Sequence, residues 1–501
     1  MHVLDSNQQP LTGLSEELQR AMGLCGIPGM SVAVQYKGKL IYVEGFGKRN
    51  EKDPFTAETL TSIGSLTKAF TATAIGELVA EGKMDWNQTP VSKYLPEFQL
   101  KDAALTAQLT AIDLLSHRTG LRSLDLAWFR SKEPRRELIK RLKYVDIVPK
   151  LGSDCIYNNI MYAVAGEAAA NVAGISYEDL VRTKVLKPLG MTHSGFSAIE
   201  MGTHANYAMP YDAASLEDAQ EGRFILGELD DIYMADAPAG DMYSNAFDLL
   251  TWGTTIMQGG KLDGKQILNE QSVQETLSGN TLKVKTKRSP EFSPVEAYGL
   301  GWMLDSYKGH VVYSHSGGNP GYTSQLTMFP NADLVITTLT NASMTSLPSE
   351  IQYLIADRVL GLEKTQDWVE LAAEKSKGWY AMKATMSKIS FQRRLDNSPK
   401  HPLCAYVGEY SDPVFGKVSV RLEHDKEAGE DVLYFKMRTF DSKLDHHHFD
   451  TFSTMLNDFG WQLGAAITFR TGRDGDVVGF ELEAGFDVVD FLRDETRKHE
   501  E

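Results

Sequence analysis

Ser65 and Lys68 stand three residues apart in Thr61-Ser-Ile-Gly-Ser-Leu-Thr-Lys-Ala-Phe-Thr71, at the front of an apolar-periodic segment. Helical spacing puts both side chains on one face. Leu66, Phe70, Ile75, Leu78 and Val79 supply the stripe that buries such a helix, and Gly82 is a stop after Glu81. A chain organised around this segment carries a hydroxyl and an amine at the head of a core helix. A serine hydroxyl is a poor nucleophile until its proton is taken, and a lysine takes it only where burial or a cationic neighbour favours the neutral amine. An isolated Ser-x-x-Lys match is more often a surface lysine near a helix start, so the rest of the chain has to decide.

At 501 residues the chain exceeds one ordinary core and suggests two or three domains. The 42% hydrophobic and 24% charged fractions are those of a globular protein. A net charge of -16 repels phosphate, which argues against a nucleic-acid or anionic-membrane partner. Met1–Pro10 has no basic segment followed by an apolar run, and no stretch approaches the 18 or so apolar residues that span a bilayer. Cys25, Cys155 and Cys404 are odd in number and widely spaced, which points to a reducing, cytoplasmic setting rather than a disulfide framework.

Leu14 to Met22 reads as a short amphipathic helix, and Pro28–Tyr36 and Lys39–Gly45 as a hairpin around Lys37-Gly38. Ile112–Leu121 reads as a helix that ends on a glycine; His117 there is a base or, more simply, a helix-end histidine. Tyr157-Asn-Asn159 stands ahead of the small-residue helix Ile160–Asn171. A phenol and an amide at such a junction can relay protons and hold a carbonyl; the plainer reading is a cap by Asn158 or Asn159 with Tyr157 on the core. Tyr243-Ser-Asn245 has the same spacing. In Val311–Phe329, Gly317 and Gly318 mark either a bulge or a strand end where the backbone approaches a ligand and an N–H faces an oxyanion.

Taken together, residues 14–360 resemble the serine β-lactamase and penicillin-binding-protein superfamily, in particular its class C-like branch of DD-peptidases, D-aminopeptidases, family VIII esterases and acyltransferases (peptidase S12 type). The motifs occur in family order: Ile63–Thr71, Leu114–Leu121, Tyr157-Asn-Asn159, Lys187–Met191, Pro238–Leu250, Tyr298–Trp302 and His315-Ser-Gly-Gly318. The resemblance implies an α/β (α+β) fold with an antiparallel sheet flanked by helices. It implies Ser65 as nucleophile, Lys68 as its activator, Tyr157 as general base or acid, and Asn159 as a substrate-carbonyl ligand. His315, Gly317 and Gly318 take the place of the third motif, with the N–H groups of Ser65 and Gly318 as oxyanion hole and Tyr243 excluded by its place in the order.

The implied activity is a serine hydrolase acting through an acyl-enzyme on small esters, amides or short peptides, including those with a D-amino acid, and it requires no cofactor or metal. An acyltransferase of the same fold and a non-catalytic ligand sensor are the alternatives. Many relatives carry lysine where this chain has His315, and a histidine is mostly neutral above a pKa of about 6.5, so turnover of β-lactams or carboxylate-ended peptides is doubtful.

Glu363–Leu395 reads as a mixed-charge helical linker with the basic pair Arg393-Arg394. From Tyr406 the pattern changes to short strands, Lys417–Leu422, Val432–Met437, Ala465–Arg470 and Val477–Leu482, which suggests a small antiparallel barrel or sandwich. Tyr406–Tyr410 and Leu444–Asp450 resemble the lipocalin-like domain appended to some class C-like hydrolases. The expected division is a catalytic domain over 1–362, a linker over 363–400 and a barrel over 401–501. Of His446, His447 and His448, only the outer two share a strand face, and a structural role is favoured over a metal site. A homo-oligomer is left open.

Overall fold

The computed structural model describes residues 11–494 other than 147–154, 232–233, 286–287, 344, 389–393, 395–396, 427–428 and 486. The N-terminal stretch Met1–Pro10 and Arg393 of the basic pair lie outside the described residues. Contacts divide the chain into two compact units, residues 1–123 with 133–379, and residues 124–132 with 380–501.

The first unit begins with helix α1 (Leu14–Cys25) and the hairpin β1 (Gly29–Tyr36) and β2 (Lys39–Gly47). Lys37 and Gly38 both take positive φ, 50° and 71°, the backbone of a two-residue hairpin turn. Gly64–Leu66 forms a 3-10 turn that runs into α2 (Thr67–Ala80), and Gly82 follows at φ 69°. Next come α3 (Ala111–Leu115), α4 (Asn159–Ala173) and α5 (Ala246–Met257). Six further strands follow: β3 (Thr281–Val284), β4 (Val295–Tyr298), β5 (Met303–Tyr307), β6 (His310–Asn319), β7 (Tyr322–Phe329) and β8 (Leu334–Thr340). The eight strands form one sheet in the order β3-β4-β5-β6-β7-β8-β1-β2, antiparallel throughout.

Helices cover both sheet faces. On one, α5 lies close because Gly253 has no side chain: a Cβ there would sit 2.8 Å from Val335 and 3.0 Å from Leu326. On the other, α1, α6 (Leu347–Leu360) and the start of α7 (Trp368–Met386) bury Leu14, Leu18, Ile351, Ile355, Trp368 and Val369 against Val32, Val34 and Ile336. The pairing of β5 with β6 stops at Met303 and Ser314, whereas β6 runs on to Asn319 against β7. His315–Asn319 thus pairs with a strand on one side only among the described residues.

The helix expected to end on a glycine near residue 120 is shorter. A capping box between Thr110 and Asp113 starts α3, and after Ser116 the left-handed position is taken by His117 at φ 59°. A non-glycine residue there costs of order 1 kcal/mol.

The second unit holds a closed eight-stranded antiparallel barrel whose first and last strands pair through Tyr410 and Arg493. Besides the four strands expected from the sequence, it contains Gly408–Asp412, Phe440–His448, Thr451–Asp458 and Asp487–Arg493. Its interior is filled by rings: Phe480 lies 4.9 Å from Tyr410, 5.3 Å from Phe469 and 5.1 Å from Phe491 between centroids. A register shift between His446 and His448 breaks the strict alternation expected for the three histidines, and His446 Nε2 bonds to the Phe449 carbonyl at 2.9 Å.

Leu124–Lys132 belongs to this unit although it lies between two segments of the first. The Arg438 guanidinium donates to the carbonyls of Leu126, Ala127 and Phe129, Arg130 pairs with Asp458, and Phe129 stacks on Phe440.

Candidate active site

The head of α2 is buried as its apolar stripe requires. Lys68 is 0% exposed, and its Nζ lies 2.9 Å from Ser65 Oγ and 2.9 Å from the Ala239 carbonyl in the short helix Ala237–Gly240. The 3-10 turn ahead of α2 sets Ser65 one turn before Lys68, so the side chains meet on one face. That short helix is held against α2 and α4: Thr71 Oγ1 donates to Pro238 O at 2.7 Å, and a Cβ on Gly166 would sit 2.5 Å from the Pro238 ring. The small residues of α4 permit this approach.

Tyr157, 40% exposed, presents its ring 4.7 Å from Lys68 Nζ. Asn158 caps α4 by accepting from Met161 N and donates through Nδ2 to the carbonyls of Leu121 and Arg122. The cap thus fixes Tyr157 on one side of it and Asn159, the first residue of the helix, on the other. His117 packs behind the phenol, its ring 4.3 Å from Tyr157, 4.7 Å from Tyr298 and 5.3 Å from Tyr162. Its Nδ1 accepts from the Asn158 N–H at 3.2 Å. A nitrogen that accepts carries no proton, so the neutral ring has its N–H on Nε2. Burial and then the Lys68 charge hold His117 well below its ordinary range.

The third segment meets the first backbone to backbone. A Cβ on Gly317 would stand 1.8 Å from Ile63 O, and one on Gly64 2.7 Å from Gly318 N. Glycine is therefore required at both places, and the N–H of Gly318 and the turn carrying Ser65 come together. Ser324 Oγ donates to Ile63 O at 2.8 Å, and Asn319 Nδ2 donates to Ser62 Oγ and Gly240 O.

His315 is 4% exposed and committed on both nitrogens. Nδ1 faces the Ser316 carbonyl at 2.6 Å, which only accepts, so the ring proton is on Nδ1 and the bare Nε2 accepts from Tyr298 O–H at 2.9 Å. Burial, then the charge of Lys68, pushes its pKa down to about 4, against a weaker raising effect of the Ser316 bond. The ring is uncharged at neutral pH.

This burial has a sign that can be measured. A histidine depressed from about 6.5 to about 4 stabilises the fold fully above pH 6.5, and the contribution is lost as pH falls toward 4, about 3 kcal/mol in all. Asp241, raised to about 8 chiefly by burial and then by the charge of Asp231, has the opposite slope, so wild type alone mixes the two. In urea melts the stability advantage of wild type over His315→Asn is expected to shrink steadily between pH 7 and pH 4.5. A constant difference would mean that His315 titrates normally.

Of the residues singled out in the sequence, Ser65, Lys68, Tyr157, His315, Gly317 and Gly318 converge here. Tyr243 does not take part in this cluster: it is buried in a short strand and donates to Glu200 at 2.9 Å. His117, read from the sequence as a base or a helix-end histidine, packs behind the phenol, and Tyr298, Tyr162 and the Ala239 carbonyl, which were not among the candidates, complete the cluster. Tyr298 stood in view in the Tyr-Gly-Leu-Gly-Trp stretch, but nothing in its spacing shows that it reaches His315.

Among the described residues no group of three His, Cys, Asp or Glu side chains is placed to hold a metal ion, and no helix is long and apolar enough to cross a membrane.

Comparison with known proteins places this geometry. The Beta-lactamase family model matches residues 14–359, and a domain family of unknown function, DUF3471, matches 392–497. The chain is 26% identical over 450 residues to the unguisins hydrolase ungD of Aspergillus violaceofuscus, covering 84% of this chain and 78% of that protein. In fold it is similar to the octameric penicillin-binding protein homologue from Pyrococcus abyssi, with a TM-score of 0.60 and 22% identity over 97% of this chain and 100% of the other. It is also similar to the D-amino acid amidase from Ochrobactrum anthropi, with a TM-score of 0.54 and 22% identity over 70% of this chain and 99% of the other. The family match, the antiparallel sheet flanked by helices and the serine at the head of its buried helix agree: the chain belongs to the Beta-lactamase family and has the fold of its serine hydrolases.

Proposed function

We propose that this protein is a serine hydrolase that acylates Ser65 and hydrolyses small esters or amides, amides and short peptides of D-amino acids among them. The observation that carries the reading is the 2.9 Å approach of Lys68 Nζ to Ser65 Oγ in a fully buried position. Burial disfavours the ammonium form, and in the fraction of molecules in which Lys68 has lost its charge the neutral amine accepts the serine proton as Oγ adds to the carbonyl carbon. The N–H groups of Ser65 and Gly318 hold the oxyanion. Tyr157, open to the substrate side, gives the leaving alkoxide or amine its proton and regains one from the water that deacylates the ester, while the Lys68 ammonium returns its proton to the departing Ser65 Oγ. Asn159 holds the substrate carbonyl side chain to side chain, and His315, Gly317 and Gly318 line the third wall.

His315 does so as an uncharged ring, which narrows the substrate class to groups without a carboxylate at that wall. The catalytic function is assigned to 1–362, the linker to 363–400 and the barrel to 401–501, with residues 124–132 grouped with the second unit and 363–379 with the first, and the setting is cytoplasmic. The likeness to a D-amino acid amidase supports the amide reading, and the hydrolase among the relatives supports water as acceptor.

The test is intact-mass analysis during turnover of p-nitrophenyl butyrate, mono-p-nitrophenyl succinate and D-phenylalaninamide. A single acyl adduct on the peptide containing Ser65 is expected, with the uncharged ester favoured over the carboxylate ester by at least about tenfold in kcat/KM. Adducts on another residue would refute the mechanism. Equal turnover of the two esters would refute the role of His315. Addition of methanol with formation of methyl ester in excess of acid would instead favour acyl transfer.

A further inference from the structure

Strand β6 has a second face. His315 and Gly317 point toward α2, so Ser314 and Ser316 point the other way, toward α6, as do their register neighbours Thr327 and Gln325 on β7. A helix packed on a sheet ordinarily buries aliphatic side chains, and here α6 turns Ser349 and Gln352 to the sheet instead. Ser349 Oγ donates to Gln325 Oε1 at 3.1 Å, and Gln325 Nε2 donates to Gln352 Oε1 at 3.3 Å. The Gln352 amide accepts through Oε1, and no hydrogen bond donated by its Nε2 is found among the described residues, which leaves that N–H for the cavity side. Gln352 lines a cavity of about 500 Å³ behind β6, a volume in the range of small-molecule sites.

The walls specify a ligand. Tyr353, Trp368 and Phe292 form an aromatic wall, with Tyr353 5.1 Å from Trp368 and 5.0 Å from Phe292 between centroids. The charged lining is three cations and three carboxylates, joined as Lys285 with Glu296, Arg288 with Asp305 and Lys375 with Glu350. This balance disfavours a ligand of one sign, which would strand the opposite charges. A molecule with its own ammonium and carboxylate can bridge such pairs while each protein charge keeps a partner.

We propose that this cavity is a second binding site for a free amino acid with an aromatic or large apolar side chain. The ring stacks on Tyr353 and Trp368, the charged ends meet the ion pairs, and the carboxylate accepts from Gln352 Nε2. Ser316, which lines the cavity, is the residue between His315 and Gly317, so occupancy is felt in the strand that forms one wall of the catalytic pocket. The site stands apart from the proposed reaction at Ser65 and does not depend on it.

The test is calorimetric titration of the full-length protein with D- and L-phenylalanine, benzylamine and phenylacetate, repeated with Ser65→Ala, Gln352→Leu and Trp368→Phe. At least one phenylalanine enantiomer is expected to bind one-to-one, at least tenfold more tightly than either single-charge analogue. Ser65→Ala should leave that affinity unchanged, Gln352→Leu should weaken it at least tenfold, and Trp368→Phe should remove the accompanying tryptophan fluorescence change. Unaltered circular dichroism and ester turnover in Gln352→Leu separate loss of the site from loss of the fold. Failure of both enantiomers to bind overturns the proposal, as do equal binding of the single-charge analogues and binding indifferent to Gln352→Leu. None of these results bears on whether Ser65 is acylated.

Discussion

Ser65→Ala is expected to abolish ester and amide turnover and with it every covalent adduct, while the fold is retained. In serine hydrolases with a concerted nucleophile and base, loss of the nucleophile alone costs about 10⁶-fold in kcat. The remaining groups here, an oxyanion wall and a phenol, leave a residue of roughly 10³ over water, so a fall of at least about 10⁴ is the smallest consistent result. Because the Oγ is replaced by hydrogen in a half-open position, thermal stability should move by less than about 1 kcal/mol. Lys68 keeps its bond to the Ala239 carbonyl. Stoichiometric labelling by a p-nitrophenyl ester that persists in the variant would place the nucleophile elsewhere and remove the basis of the proposed function.

Gly317→Ala should be nearly as damaging, for a reason of space rather than chemistry. The added methyl would lie 1.8 Å from Ile63 O and 2.4 Å from Ser324 Oγ, whereas carbon and carbonyl oxygen meet at about 3.3 Å. Either the strand or the turn holding Ser65 must retreat by about 1.5 Å, and a displacement of that order at a reacting centre costs about 10²-fold in rate. A fall of about 10² to 10³ in kcat is expected, together with a loss of about 2–4 kcal/mol in stability. Gly378→Ala is the matched control, since a Cβ there meets nothing within 4 Å. It should leave kcat unchanged and raise stability by up to about 1 kcal/mol through helix propensity. Equal effects at the two glycines would mean that the close approach of turn and strand is unimportant to the reaction.

The parts of this molecule that could be read in advance are those with local chemistry. The hairpin at Lys37-Gly38, the helix after Ser65, the Asn158 cap and the glycines of β6 each follow from residues within a few positions of one another. What escaped was made by distant segments. Tyr298 reaches His315 only because β4 and β6 flank β5 in the sheet, and the Ala239 carbonyl meets Lys68 across 171 positions. Half of the barrel strands were hidden because Phe440–His448 is charged on its outer face and Gly408–Asp412 is short, so neither shows a clear apolar alternation. Leu124–Lys132 carries no local mark of its contacts with Arg438 and Asp458.

That excursion has a consequence for how the protein can be taken apart. The polypeptide passes between its two units three times, after Ser123, after Lys132 and after Trp379. No single cut can then release either unit with all of its native neighbours. Deleting the tail strips Leu126, Ala127 and Phe129 of the guanidinium that binds their carbonyls, and those residues stand in the chain between the strained histidine and the phenol of the pocket. An appended module gained by simple fusion would be severable at one joint; this one is stitched in, so shuffling or transplanting it requires moving the stitch as well.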